Sequence, residues 1–396
     1  MVHGDGAIPE RVLLGPGPSL ADPRVLRAMN NPMIGYLDPA YLEIMEEVAD
    51  HLRSTFQTRN KATFPVQGTG FSGMDSCLGT LIEPGDKVII AVHGFFGAQM
   101  CELAERYGAQ VVRLDQEWGK AFDPETLGEA LRAHQDAKFL GIVHAETSTG
   151  VLQPMEEIGR LCRENGVLLL VDAVTSLAGV EVAVDGWGID ICYSGSQKCL
   201  GAPPGMAPVT LGDRARGVIA ERKTPPPSYY LDLSLIQEYW GEAHTYHHTG
   251  PMAMVYAMRE ALRIVQQEGL PARWARHSLN AAALQAGLQA LGLELHVEEK
   301  DRLPTLTTVR IPKGIEDAKM RGRLLEEFDV EIGGGLGHLK GKIWRIGLMG
   351  YASNRRNVLY LLSALETLLT DAGLRPSQPG AGVAAAQEVY DSQTRE

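Results

Sequence analysis

The chain has 396 residues, 44% of them hydrophobic and 22% charged, and its 49 acidic against 37 basic residues leave a formal net charge of -12. That composition gives an ample core and excludes a disordered chain, while the acidic balance disfavours nucleic acid or an anionic membrane as a general partner. No apolar run approaches membrane-spanning length, and MVHGDGAIPE lacks the basic-then-apolar order of a secretory leader. The five cysteines, Cys77, Cys101, Cys162, Cys192 and Cys199, form no CxxC pair and are odd in number, so neither a disulfide framework nor a zinc site is expected. Reduced thiols fit a cytoplasmic location.

Residues 1–21 read as an N-terminal segment and residues 22–280 as a large domain. In QGTGFSG, Gly68, Gly70 and Gly73 precede a helical pattern and satisfy the G-x-G-x-x-G spacing of dinucleotide sites. That reading also needs an acid at the end of the next strand, yet VIIAV (88–92) runs into His93, Gly94 and two phenylalanines. What survives is a loop whose backbone N–H groups suit a single phosphate at a helix N-terminus, with Thr69 and Ser72 as further donors. A plain tight turn would use the same glycines.

Apolar runs then alternate with helices closed by glycine. VIIAV is followed by a helix over 99–107, FLGIV (139–143) by one over 155–165, and VLLLV (167–171) is a third fully apolar run. Such runs predict parallel strands covered on both faces. Long helices are predicted over 253–268 and 272–291, after which short strands near 306–311, 330–332 and 343–346 predict a smaller α+β domain over 281–375. From Pro376 onward the Pro, Gly, Ala and Gln content predicts a poorly ordered tail.

Lys198, in SGSQKCLGAPPG, has no formal charge nearer in sequence than Asp190 and Asp213. It either lays its stem along apolar surface or serves as a nucleophile. Asp172 ends VLLLV at the carboxyl edge where open parallel sheets place ligands, and a buried acid there needs a partner. A lysine for a Schiff base, a carboxylate for a pyridinium nitrogen and an anion loop are the requirements of pyridoxal phosphate. Phe95 or Phe96 is placed to cover the ring, or simply to fill the core. Arg345, in the apolar IWRIGLMG, must meet an internal acid or a substrate carboxylate. His244, His247 and His248 have no acid or cysteine nearby to complete a metal set, so no metal is expected.

The motifs GPGP, ETSTGVLQP, LLVDAVTSLAG, SGSQKCLGAPPG and TYHHTGP, in that order over residues 13–374, resemble the alanine-glyoxylate, serine-glyoxylate and serine-pyruvate aminotransferases. These are class V, fold type I pyridoxal-phosphate enzymes. The resemblance implies an α/β fold with a mostly parallel seven-stranded sheet covered by helices, and a smaller C-terminal α+β domain. It implies that Lys198 carries pyridoxal 5′-phosphate, that Asp172 pairs with its ring nitrogen, and that Thr69, Gly70, Phe71, Phe96, Thr147 and Gln197 surround it. Tyr246 and Thr249 would reach the cofactor of a neighbouring subunit, which implies a homodimer with shared active sites. Arg345 would bind the substrate carboxylate, with Gly17 and Tyr36 beside it. Tyr36 stands where many relatives carry histidine, which bears on the choice of amino donor.

The expected activity is therefore ping-pong transfer of an amino group from alanine or serine to glyoxylate or pyruvate. No second arginine is evident for a dicarboxylic donor. The alternatives are a larger donor such as hydroxykynurenine, a nicotinamide-dependent oxidoreductase built on the 68–73 loop, and a catalytically silent relative. Desulfurase chemistry is not expected, since no cysteine follows Cys199.

Overall fold

The apolar runs assemble one central sheet in the computed structural model of the chain, which describes residues 8–393. Its strands are β1 (Ala62–Gly68), β2 (Lys87–Val92), β3 (Gln110–Asp115), β4 (Phe139–Val143), β5 (Leu168–Asp172), β6 (Ile191–Tyr193) and β7 (Gly205–Leu211). The sheet is seven-stranded, in the order β1-β7-β6-β5-β4-β2-β3. Strand β7 runs antiparallel to β1 and β6, and every other neighbouring pair is parallel. The runs VIIAV, FLGIV and VLLLV fall in β2, β4 and β5, whose residues are buried with the single exception of Lys87 at the start of β2. They lack polar alternation because helices cover both faces. One apolar layer includes Leu127, Leu169 and Val255, and the opposite one Met74, Ile90 and Val209.

The C-terminal part is built on an antiparallel sheet in which Ile343–Gly347 lies between Leu306–Arg310 and Gly333–Gly334. Val12–Leu13 also belongs to this part, pairing in parallel with Val330–Glu331. A helix over Leu270–Ala290 runs through the expected boundary at residue 280 without a break.

The expectation of a poorly ordered tail from Pro376 is corrected. Ala381–Gln393 is a helix that buries Ala386 and Tyr390 against the C-terminal core, and the Tyr390 hydroxyl donates to Asn280 Oδ1 at 2.7 Å. Alanine favours helix when an apolar face has a partner, and composition alone does not reveal the partner. The partner is the Leu270–Ala290 helix, approached closely at two glycines: a Cβ on Gly287 would lie 2.7 Å from the Gly382 carbonyl oxygen.

Candidate active site

A cavity of about 140 Å³ opens where the carboxyl ends of β4 and β5 meet the turns leaving β1 and β6. Thr69, Gly70, Phe71, Phe96, Thr147, Asp172, Gln197 and Lys198 all line it, together with Val174 and Thr175. A wider surface cleft of about 1070 Å³ lies elsewhere, beside Arg273 and Arg276. It brings together no such set, since both arginines are already bound to Glu268.

Lys198 sits in the turn from β6 to β7. Ser194 N donates to Pro208 O at 2.8 Å and Ser196 N to Met206 O at 2.9 Å, so the two strands hold the base of this turn. From outside, Ser19 N donates to Gln197 O and Ser19 Oγ to Lys198 O, each at 2.8 Å. The Lys198 ammonium donates to Pro16 O, and Gly17 packs directly on the lysine stem. A Cβ on Gly17 would overlap that stem, and its φ of +116° is one that side chains disfavour. Burial, and then the positive charge of Arg345, bring the Lys198 amine down to about 8. Its amine is largely withdrawn from water, unlike that of a snorkelling surface lysine.

Asp172 ends β5, accepting from Val174 N at 2.8 Å and from the Tyr193 hydroxyl at 2.8 Å. Burial pushes its carboxyl up to about 7, and those two hydrogen bonds work against the rise. At the opening of the Gly70–Leu81 helix, Thr69 is the N-cap but its hydroxyl makes no cap bond, leaving it available beside the first-turn N–H groups. Ser72, the other expected donor, is committed instead to Thr69 O at 2.6 Å.

Of Phe95 and Phe96 it is Phe96 that lines the cavity, its ring centroid 6.1 Å from that of Phe71, also in the lining, and 5.5 Å from that of Phe95. Arg345 is buried, with Nε donating to Gly334 O at 2.7 Å and Nη1 to Thr147 O at 3.3 Å. Among the described residues no carboxylate forms an ion pair with it, so the internal salt bridge that sequence left open is not present. Tyr36, Tyr246 and Thr249 do not line the cavity. The rings of Tyr36 and Tyr246 are 5.1 Å apart, Tyr246 is 54% exposed, and Thr249 O accepts from Gln67 Nε2 at 2.9 Å. The histidines of HTYHHT pair locally, His247 Nδ1 with His248 Nδ1 at 2.7 Å. No cluster among the described residues has the makings of a metal site.

The family model for class-V aminotransferases matches residues 12–351. The chain belongs to the class-V aminotransferases. It is 42% identical to (S)-ureidoglycine--glyoxylate transaminase of Bacillus subtilis, over 98% of this chain and 97% of that one. It is 40% identical to alanine--glyoxylate aminotransferase of Rattus norvegicus, over 92% and 88% of the two chains. Among solved structures, the ureidoglycine-glyoxylate aminotransferase of B. subtilis superposes with a TM-score of 0.95 at 44% identity, covering 97% of this chain and 99% of that one. Alanine--glyoxylate aminotransferase of Nostoc sp. superposes at 0.90 with 49% identity, covering 92% and 96%.

Three features of this aminotransferase's site escaped sequence reasoning. The Tyr193 hydroxyl holds Asp172, Val174 and Thr175 join the lining, and Glu146 is fully buried beside it. The motif LLVDAVTSLAG carries Val174 and Thr175 two and three residues after Asp172, and that proximity was the one available signal.

Proposed function

We propose that this aminotransferase uses pyridoxal 5′-phosphate to move an amino group from a small monocarboxylic amino acid, alanine or serine, to glyoxylate. The observation that carries the reading is the convergence of a largely buried amine, a buried carboxylate and an open helix N-terminus on one cavity, with Arg345, ion-paired to no carboxylate among the described residues, bonded to the carbonyl of the lining residue Thr147. The fit to the cofactor is chemical. Lys198 would hold its aldehyde carbon, Asp172 its ring nitrogen, and Thr69, Gly70 and Gln197 its phosphate. Phe96 and Val174 offer apolar surface to the ring. The buried amide oxygen of Gln197 has no hydrogen-bond partner among the described residues, as expected of a side chain poised toward a ligand.

When bound, pyridoxal phosphate supplies an electron sink for the pair released from a substrate Cα–H bond. The residues supply the rest. Asp172, once ionised, keeps a proton on the ring nitrogen, and burial of the pair strengthens that interaction. Arg345 grips the substrate carboxylate with its fork of donors and so orients Cα toward Lys198. Nζ of Lys198, freed when a substrate amine takes its place, would take the Cα proton as general base and give it to the carbon that had held the lysine. Two such half-reactions give ping-pong kinetics.

Glyoxylate as acceptor is supported by both sets of relatives, whose names share it. A second donor reading, ureidoglycine, is favoured by the B. subtilis relative at 42% identity. Tyr246 and Thr249 are exposed and outside the lining of their own chain's cavity, which supports a homodimer in which each subunit completes the other's site. A cytoplasmic location belongs to the same reading, supported by cysteines that are all free. No helix among the described residues is long and apolar enough to cross a membrane.

A visible spectrum of the purified protein, followed by addition of L-alanine, L-serine or ureidoglycine and then glyoxylate, tests the reading. A yellow band that a donor bleaches and glyoxylate restores is expected, and Lys198→Ala should abolish the cycle. A colourless wild type that gains no band with added pyridoxal phosphate, or a variant that still transaminates at the wild-type rate, would sink it. The donor that bleaches the band at the lowest concentration decides between the two donor readings.

A further inference from the structure

Glu146 takes no part in the chemistry above, yet it is fully buried beside the cavity. The Phe95–Arg106 helix opens after Gly94, which has no side chain to cap it. Its first N–H groups are received instead from a turn distant in sequence. Phe95 N donates to Ser148 Oγ at 2.8 Å, and Phe96 N and Gly97 N to Glu146 Oε2 at 3.1 and 3.3 Å. Ser148 in turn donates to Glu146 Oε1 through its hydroxyl at 2.6 Å and its backbone N–H at 3.0 Å. Gly94 itself fits against this carboxyl, and a Cβ there would overlap it.

These bonds fix more than a helix end. Phe96, whose N–H is held by Glu146, lines the cavity. Thr147, between the two capping residues, also lines it, and its carbonyl oxygen accepts from Arg345 Nη1. A carboxylate at a helix N-terminus is favoured by the dipole, and hydrogen bonds to a charged acceptor are the strong ones. Burial raises the Glu146 carboxyl, while its hydrogen bonds from Ser148, Gly97 and Phe96 oppose the rise.

We propose that Glu146 is a positioning residue for amino transfer: through one turn it holds Phe96, Thr147 and Arg345, and so sets cofactor affinity and carboxylate recognition together. The inference rests on the pyridoxal phosphate reading given above.

Glu146→Gln keeps the volume and one acceptor oxygen while removing the charge and the second acceptor. Titrating the apoprotein with pyridoxal phosphate should show a dissociation constant raised about tenfold. In the reconstituted enzyme KM for alanine should rise more than kcat falls, with the thermal midpoint of the holoenzyme little changed. Ser148→Ala, which removes the acceptor for Phe95 N and one bond to the carboxyl, should shift both constants the same way by a smaller factor. It also answers the question if Glu146→Gln fails to fold. A yellow, active wild type with unchanged dissociation constant and KM in the variants overturns the proposal, and so does a lowered thermal midpoint with both constants intact. A wild type that neither binds the cofactor nor transaminates overturns the underlying reading as well.

Discussion

At the scale of single residues, the site is a balance between burial and charge. Arg345 and Lys198 repel each other, and that repulsion adds to burial in lowering the lysine. Arg345→Gln should therefore have two effects. If Arg345 binds the substrate carboxylate as proposed, its loss should cost roughly 2–5 kcal/mol in kcat/KM for amino acid substrates. Loss of the repulsion should also raise the pH at which the amine becomes reactive. In the wild-type apoprotein, the rate of reaction with added pyridoxal phosphate should climb as pH rises through about 8, because only the neutral amine attacks. A variant midpoint at or below that of wild type would show that Arg345 is not what depresses the lysine. Lys198, Asp172 and the glycine loop were legible in the sequence because each is an oddity in its surroundings: a charge among small residues, an acid closing an apolar run, glycines ahead of a helix. Tyr193 and Glu146 were not, since an apolar-looking strand residue and an acid in a polar turn are ordinary until folding places them against Asp172 and Phe96.

At the scale of elements, the Pro39–Thr55 and Met252–Glu268 helices are tied by Glu47, which accepts from Arg259 Nε at 2.6 Å and from Arg263 Nη2 at 3.0 Å. Partial burial would raise the Glu47 carboxyl, but the bonds from Arg263 and Arg259 outweigh it and hold it at about 2. A carboxyl depressed by folding stabilises the native state above its ordinary range and loses that contribution as pH falls from about 4.5 to about 2. Glu47→Gln should thus cost about 1 kcal/mol at neutral pH, and the gap from wild type should close across that acid window, as read by denaturant unfolding. A gap that persists at pH 2 would assign the loss to packing instead. The strands differ in legibility for a related reason. β2, β4 and β5 announce themselves as apolar runs, whereas β1 carries Pro65, paired in register with Pro208 of β7. Proline reads as a strand breaker; Pro65 is tolerated because β1 is at the edge of the sheet, while Pro208, in the interior strand β7, still accepts from Ser194 N through its carbonyl.

At the scale of the whole molecule, the chain is closed by its last helix. Ala381–Gln393 packs on Leu270–Ala290 and on Arg355–Asp371, so a stop codon after Pro379 should uncover the faces of Leu362 and Leu291. Thermal unfolding should then shift downward by several degrees or more, as expected for losing a buried helix of this size. An unchanged midpoint would make the helix dispensable. The fold class was readable from alternation of strand and helix, because that periodicity is local. The attachment of Val12–Leu13 and of the Ala381–Gln393 helix to the C-terminal part was not, because Val12 with Val330 and Tyr390 with Asn280 are pairings between distant stretches that no local pattern encodes.

The reversed strand β7 has one more consequence. Because β6 and β7 are neighbours in the ladder, the segment carrying Lys198 is a closed loop between two paired strands, and its ends cannot drift apart while the sheet persists. Amide protons of Ser194 and Ser196 should exchange with solvent as slowly in the apoprotein as in the holoenzyme. Lys198 is then presented by the scaffold itself, and on the proposed reading loading of pyridoxal phosphate becomes a docking event rather than a late step of folding.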